Sequence, residues 1–174
     1  MAKVLKTLCV FFIVSIFVIS VLGGCMGENA EQNTIASNFK ADFDAEYRDM
    51  KISGSIVAGR QGIVNINITS PPTLDGLQIN YKNSCIEIGR ESLLCTADEP
   101  YLPSDSFPAV VKTLLSEINN GKAELSSKSE NSRFFKLTAP NGEWTIETDS
   151  DGAPVCAQTN SLEFCIHFQN TEVL

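Results

Sequence analysis

From Phe39 to Arg48 the chain alternates without a break. Phe39, Ala41, Phe43, Ala45 and Tyr47 fall on one side, and Lys40, Asp42, Asp44, Glu46 and Arg48 on the other. A period of two predicts a half-buried antiparallel strand with one apolar and one wet face, because a helix would scatter the same residues around its axis. The signature recurs at short intervals. Ile52 to Val57 precedes a Gly59-Arg60-Gln61-Gly62 turn, Val64, Ile66 and Ile68 alternate with Asn65, Asn67 and Thr69, and Ser70-Pro71-Pro72 ends that run. Leu77, Ile79 and Tyr81 alternate again, Asn83-Ser84 turns the chain, and Cys85 to Ile88 returns. Runs this close predict a meander of hairpins rather than crossover units.

One helix interrupts the meander. Ser104 or Asp105 can cap it and Pro108 suits its first turn; Val110, Val111, Leu114, Leu115 and Ile118 recur at helical spacing before Asn120-Gly121. Strand signals then resume at Ala123 to Ser127, Arg133 to Leu137, Trp144 and Ile146, Pro154 to Gln158, and Leu162 to Phe168. The expected fold is mainly β (α+β): a curved antiparallel sheet or incomplete barrel of about eight to nine strands, with one main helix on its concave face.

The first residues belong to another program. Lys3 and Lys6 precede an apolar run from Thr7 to Leu22 and the small Gly23 and Gly24, the layout of an export signal. The run falls short of the about 20 apolar residues a bilayer span needs, and an acidic segment follows it. Leu22-Gly23-Gly24-Cys25 resembles the bacterial lipobox, a hydrophobic and two small residues before a cysteine. The resemblance implies a lipoprotein signal peptide at 1–24, cleavage after Gly24 and before Cys25, and lipid on Cys25. The expected divisions are then the signal, a polar lipidated tether at 25–38, and a single domain at 39–174. Two or more acyl chains would hold the mature protein stably on the cell membrane, facing outside the cytoplasm.

The 174 residues include 13 basic and 21 acidic ones, and the signal holds two of the basic ones. So acidic a surface disfavours nucleic acid and anionic headgroups as partners. Beyond Cys9 and Cys25, four cysteines remain, an even number in a compartment where disulfides persist. Cys85 and Cys95 flank Gly89-Arg90-Glu91, and Cys156 and Cys165 flank Asn160-Ser161, so Cys85–Cys95 and Cys156–Cys165 are the candidate disulfides across hairpins, with free thiols the alternative. None stands in C-x-x-C spacing, and neither metal nor cofactor is expected.

Catalytic signals are weak. His167, the single histidine, is two residues from Cys165 and on the same side of the last strand, but nothing in the sequence marks a third group to orient the imidazole. No nucleophile elbow or phosphate-cradling glycine loop is present. A non-catalytic protein is expected. Phe43, Ile66, Ile68, Leu77, Ile79, Leu114, Trp144, Ile146, Phe164 and Phe168 would line the concave face, either as a packed core or as an apolar pocket.

Phe39-Lys40-Ala41-Asp42-Phe43, then Gly62 to Ile68, Pro72-Thr73-Leu74-Asp75-Gly76-Leu77, the Gly152-Ala153-Pro154 turn and the closing Ile166-His167-Phe168-Gln169-Asn170 together resemble the lipoprotein-carrier half-barrels of the LolA and LolB type. The resemblance implies a hollow that holds a lipid or lipoprotein acyl chain, here with a lid reduced to residues 104–120. A similar half-barrel occurs in spore-germination lipoproteins, which support a cell-wall amidase. Two expectations follow: a tethered lipid-binding module, or a non-catalytic lipoprotein that docks a cell-envelope protein.

Overall fold

The computed structural model describes residues 34–59, 62–82 and 84–174. The expected signal at 1–24, the expected lipidation of Cys25 and the expected tether up to residue 33 lie outside the described residues. Six strands come first: β1 (Phe39–Tyr47), β2 (Met50–Ala58), β3 (Val64–Ser70), β4 (Gln78–Lys82), β5 (Cys85–Arg90) and β6 (Leu93–Asp98). Helix α1 (Phe107–Asn119) follows, then β7 (Glu124–Lys128), β8 (Ser132–Ala139), β9 (Gly142–Asp149), β10 (Pro154–Thr159) and β11 (Phe164–Val173).

All eleven strands belong to one sheet, in the order β6-β5-β4-β3-β2-β1-β11-β10-β9-β8-β7. Every neighbouring pair is antiparallel, and the first and last strands meet in the middle. The two edges are therefore β6 and β7, and α1 is the connection between them. The count corrects the expected eight to nine. Edge strand β6 left no strand signal, since it is exposed at all but one position and lacks the alternation that burial imposes elsewhere; the other edge, β7, is exposed throughout although its run at Ala123 to Ser127 is visible.

The alternation from Phe39 holds throughout β1: odd-numbered residues are buried and even-numbered ones exposed. Helix α1 lays Phe107, Val110, Val111, Leu114, Leu115 and Ile118 on the concave face, as its stripe requires. Each contributes about 1.5–3 kcal/mol by leaving water. The cap differs from expectation. Ser106 is the N-cap residue and its hydroxyl donates to the Pro103 carbonyl, while the Asp105 carboxylate accepts from Arg48 instead. At the other end Gly121 takes a positive φ of 69° and its N–H reaches the Ile118 carbonyl, closing the helix where Asn120-Gly121 predicts.

Curvature has a local cause at Gly54. Register shifts between Ser53 and Gly54, and a Cβ built at Gly54 would overlap the Asn67 carbonyl oxygen. Only glycine lets β2 and β3 close up there.

The sheet has two distinct ends. Tyr47, Met50, the connection at 71–77 and the start of α1 lie at one; Phe39, Gly152 and the C-terminal residues lie at the other, about 27 Å away along β1. Residues 34–38, expected to belong to the tether, are held at the second end. The Ala36 N–H donates to the Gly152 carbonyl at 2.8 Å, and Ile35 packs against the core.

Candidate functional site

The concave face is mostly filled. Phe43, Ile66, Leu114, Trp144, Ile146, Phe164 and Phe168 are buried in one continuous core, the packed-core alternative for seven of the ten candidate residues. Aromatic rings do much of the filling. Phe107, from the first turn of α1, stacks on Phe43 and on Phe164, each 5.9 Å between centroids, and Trp144 meets Phe164 edge-on at 5.4 Å. The Trp144 indole N–H donates to Asn141 Oδ1 at 3.0 Å, so the buried ring leaves no polar atom unsatisfied.

What remains open is an apolar cavity of about 380 Å³ at the Tyr47 end. Ile68, Leu77 and Ile79 line it, three of the ten expected residues. Ile52, Leu74 and Ile88 complete its walls, Phe107 closes its inner side, and Met50 stands exposed at its rim. Leu74, Leu77 and Ile88 are only partly buried although they pack on the core. The size falls within the range of small-molecule sites, and the lining is of the kind that takes an apolar group.

Polar groups frame this mouth. The Tyr47 hydroxyl donates to the Asp105 carbonyl, and Arg48 pairs with the Asp105 carboxylate at 2.9 Å while lying over the Tyr47 ring. The hydrogen bond from Arg48 holds the Asp105 carboxyl below its ordinary range, and the same bond raises the Arg48 guanidinium. The opposite side of the mouth is the hairpin tip between β5 and β6, where Arg90 Nη1 donates to the Thr73 carbonyl at 3.0 Å. Sequence reasoning missed Tyr47, Met50, Ile52, Leu74, Ile88 and Phe107 as cavity residues. Their apolar character was visible; that the 71–77 and 103–108 connections would stand apart from the sheet and leave a gap was not.

Other cavities among the described residues are polar. One, on the outer face of β2 to β5, is lined by Ser55, Asn65, Asn67, Gln78, Asn80 and Glu87 among others. Another lies beside the C-terminal half of α1, where Lys112 pairs with Glu99. Tyr81 borders it with a buried hydroxyl that has no hydrogen-bond partner among the described residues, and burial pushes that phenol well above its usual range, with the Glu99 carboxylate adding to the effect.

The first cysteine pair does not follow the hairpin expectation. Cys85 stands opposite Asp98, and Cys95 opposite Ile88, so the two are three residues out of step and on opposite faces of the sheet. A Cys85–Cys95 disulfide cannot form in that register. Cys156 and Cys165 share the outer face but are diagonal, with Cys156 opposite His167 and Cys165 opposite Gln158; their sulfurs lie 3.9 Å apart as free thiols. Cys165 Sγ is 3.4 Å from His167 Nε2. Asp44, opposite His167 on β1, accepts from Ser53 and from Gln169.

No family model matches the chain, and no curated protein matches it. Among solved structures, the chain is similar to an uncharacterized conserved protein from Thermus thermophilus, with a TM-score of 0.48 and 8% identity over 80% of each chain. It is also similar to a LolA superfamily protein from Nitrosomonas europaea, with a TM-score of 0.41 and 9% identity over 80% of this chain and 87% of that one. Neither likeness assigns the chain to a family.

Proposed function

We propose that this protein is a lipid-tethered, non-catalytic binding module that takes the apolar end of a lipid or an acyl chain into the cavity at the Tyr47 end of its sheet. The observation that carries the reading is the cavity itself: about 380 Å³, walled by Ile52, Ile68, Leu74, Leu77, Ile79 and Ile88, in an otherwise closely packed core. Its capacity supports one apolar group rather than the engulfing of several chains. The Arg48–Asp105 pair at the rim offers polar contacts to a headgroup.

Residues 34–36 are pinned beside Gly152, at the end of the sheet away from the cavity.

A second reading, docking of a cell-envelope protein, draws support from the edge strand β6. Leu93, Leu94 and, just beyond the strand, Tyr101 are 76%, 69% and 82% exposed, and an unpaired strand edge can accept another strand. Native mass spectrometry of the full chain after gentle extraction separates the two. Co-purifying lipid in about equimolar amount is the expected result, whereas a stoichiometric protein partner without lipid would overturn the first reading in favour of the second.

A further inference from the structure

Three strands bring chemistry together on the outer face, away from the cavity. A register shift between Pro154 and Cys156 inserts Val155 as an extra residue in β10, which turns Cys156 outward while Pro154 stays buried. Cys156 thereby joins Cys165 and His167, and one donor atom from each lies within 4.8 Å of the others.

The separations fit a shared cation better than a bond between sulfurs. A tetrahedral zinc ion with Zn–S of about 2.3 Å and Zn–N of about 2.0–2.1 Å places two sulfurs about 3.8 Å apart and a sulfur and a nitrogen about 3.6 Å apart. The structure has 3.9 Å and 3.4 Å for the two thiols and for the Cys165–His167 pair. A disulfide needs about 2.05 Å, and diagonal cross-strand neighbours stand about 7–8 Å apart at Cα, at or past the reach of a bridge. Charge agrees with a cation. Glu147 on β9 is the register partner of Cys156, and its carboxylate, which accepts from Ser132 Oγ at 2.9 Å, adds negative charge beside the thiols.

We propose that Cys156, Cys165 and His167 form a binding site for a thiophilic divalent cation of the zinc type, with its fourth position open to solvent. Binding converts two thiols to thiolates and uses the imidazole as a neutral ligand, so two S–H bonds break, two metal–sulfur bonds form, and two protons leave to solvent for each ion bound. The partly buried sulfurs and the exposed His167 make the site accessible from the outer face. A bound ion would also staple β10 to β11, next to the β1–β11 junction that joins the two halves of the sheet.

Cobalt tests the site. The full chain, held in detergent, reduced and stripped of metal, is titrated with Co²⁺ alone and then with Zn²⁺. The expected result is a thiolate-to-cobalt charge-transfer band that saturates at one ion per chain, with about two protons released, and that zinc displaces. Cys165→Ser should remove most of the band, His167→Ala should keep it but weaken binding by at least about tenfold, and Cys85→Ser with Cys95→Ser should change nothing. His167 is exposed, so its variant keeps the test independent of folding. No charge-transfer band at stoichiometric cobalt, a band that depends on Cys85 or Cys95, or a Cys156–Cys165 disulfide in chain isolated from the exporting cell without reductant would each overturn the proposal.

Discussion

Tyr47 donates its hydroxyl to the carbonyl of Asp105, tying the last residue of β1 to the loop that leads into α1. That bond spans the mouth of the apolar cavity and sets where the 103–106 segment sits. Tyr47→Phe removes the donor and keeps the ring contacts with Phe107 and Phe164. The expected cost is about 1 kcal/mol in denaturant unfolding, with faster amide exchange at Ser106. Unchanged exchange would show that the loop is held by other contacts.

Phe107 both packs the core and closes the inner side of the cavity. Phe107→Ala should lower stability by about 3–5 kcal/mol. The surviving folded protein should bind longer acyl chains relatively better than the parent does, because the ring no longer limits depth. A chain-length series followed by competition binding checks the shift.

Tyr81 gives the opposite expectation. Its hydroxyl is buried without a hydrogen-bond partner among the described residues, so Tyr81→Phe should be neutral or slightly stabilising in denaturant unfolding. The pH dependence has a definite sign. Burial, helped by Glu99, raises the phenol in the folded state, so its neutral form is favoured there. Stability is full below about pH 10, where the unfolded phenol is also neutral, and falls as pH rises above it. Tyr81→Phe should flatten that alkaline decline; an identical decline in the variant would contradict the assignment.

Gly152 sits at φ +85°, and a Cβ there would stand 2.5 Å from the Thr34 carbonyl oxygen. Gly152→Ala should therefore dislodge residues 34–36 and cost more than about 1 kcal/mol. Limited proteolysis should then cut faster between residues 34 and 38, while cleavage elsewhere is unaffected.

Much of the fold was legible because one buried face writes itself into sequence as a period of two. β1 and β3 alternate as expected, and Val110, Val111, Leu114, Leu115 and Ile118 make the helical stripe. The edge strands were not legible as fully, since Leu93 and Leu94 point into solvent and leave no pattern. The sites were harder still. Whether Phe43 lines a hollow or a packed core depends on Phe107 filling the space beside it, a contact between residues 64 positions apart. Cys165 and His167 could be paired by their spacing on one strand, but Cys156 reaches them only through the Val155 bulge, and a one-residue slip of phase carries no reliable mark in the sequence.

The central claim is that the cavity at the Tyr47 end holds an apolar chain. Equilibrium binding of an environment-sensitive fluorescent fatty acid to the full chain, compared with Leu77→Arg in the cavity wall and Leu94→Arg on the exposed β6 edge, tests it most directly. The account predicts saturable binding at one ligand per chain, lost by at least about tenfold in Leu77→Arg, since burying the added charge costs at least about 1.4 kcal/mol, and retained in Leu94→Arg. Binding that is absent, that does not saturate, or that survives Leu77→Arg unchanged would contradict it.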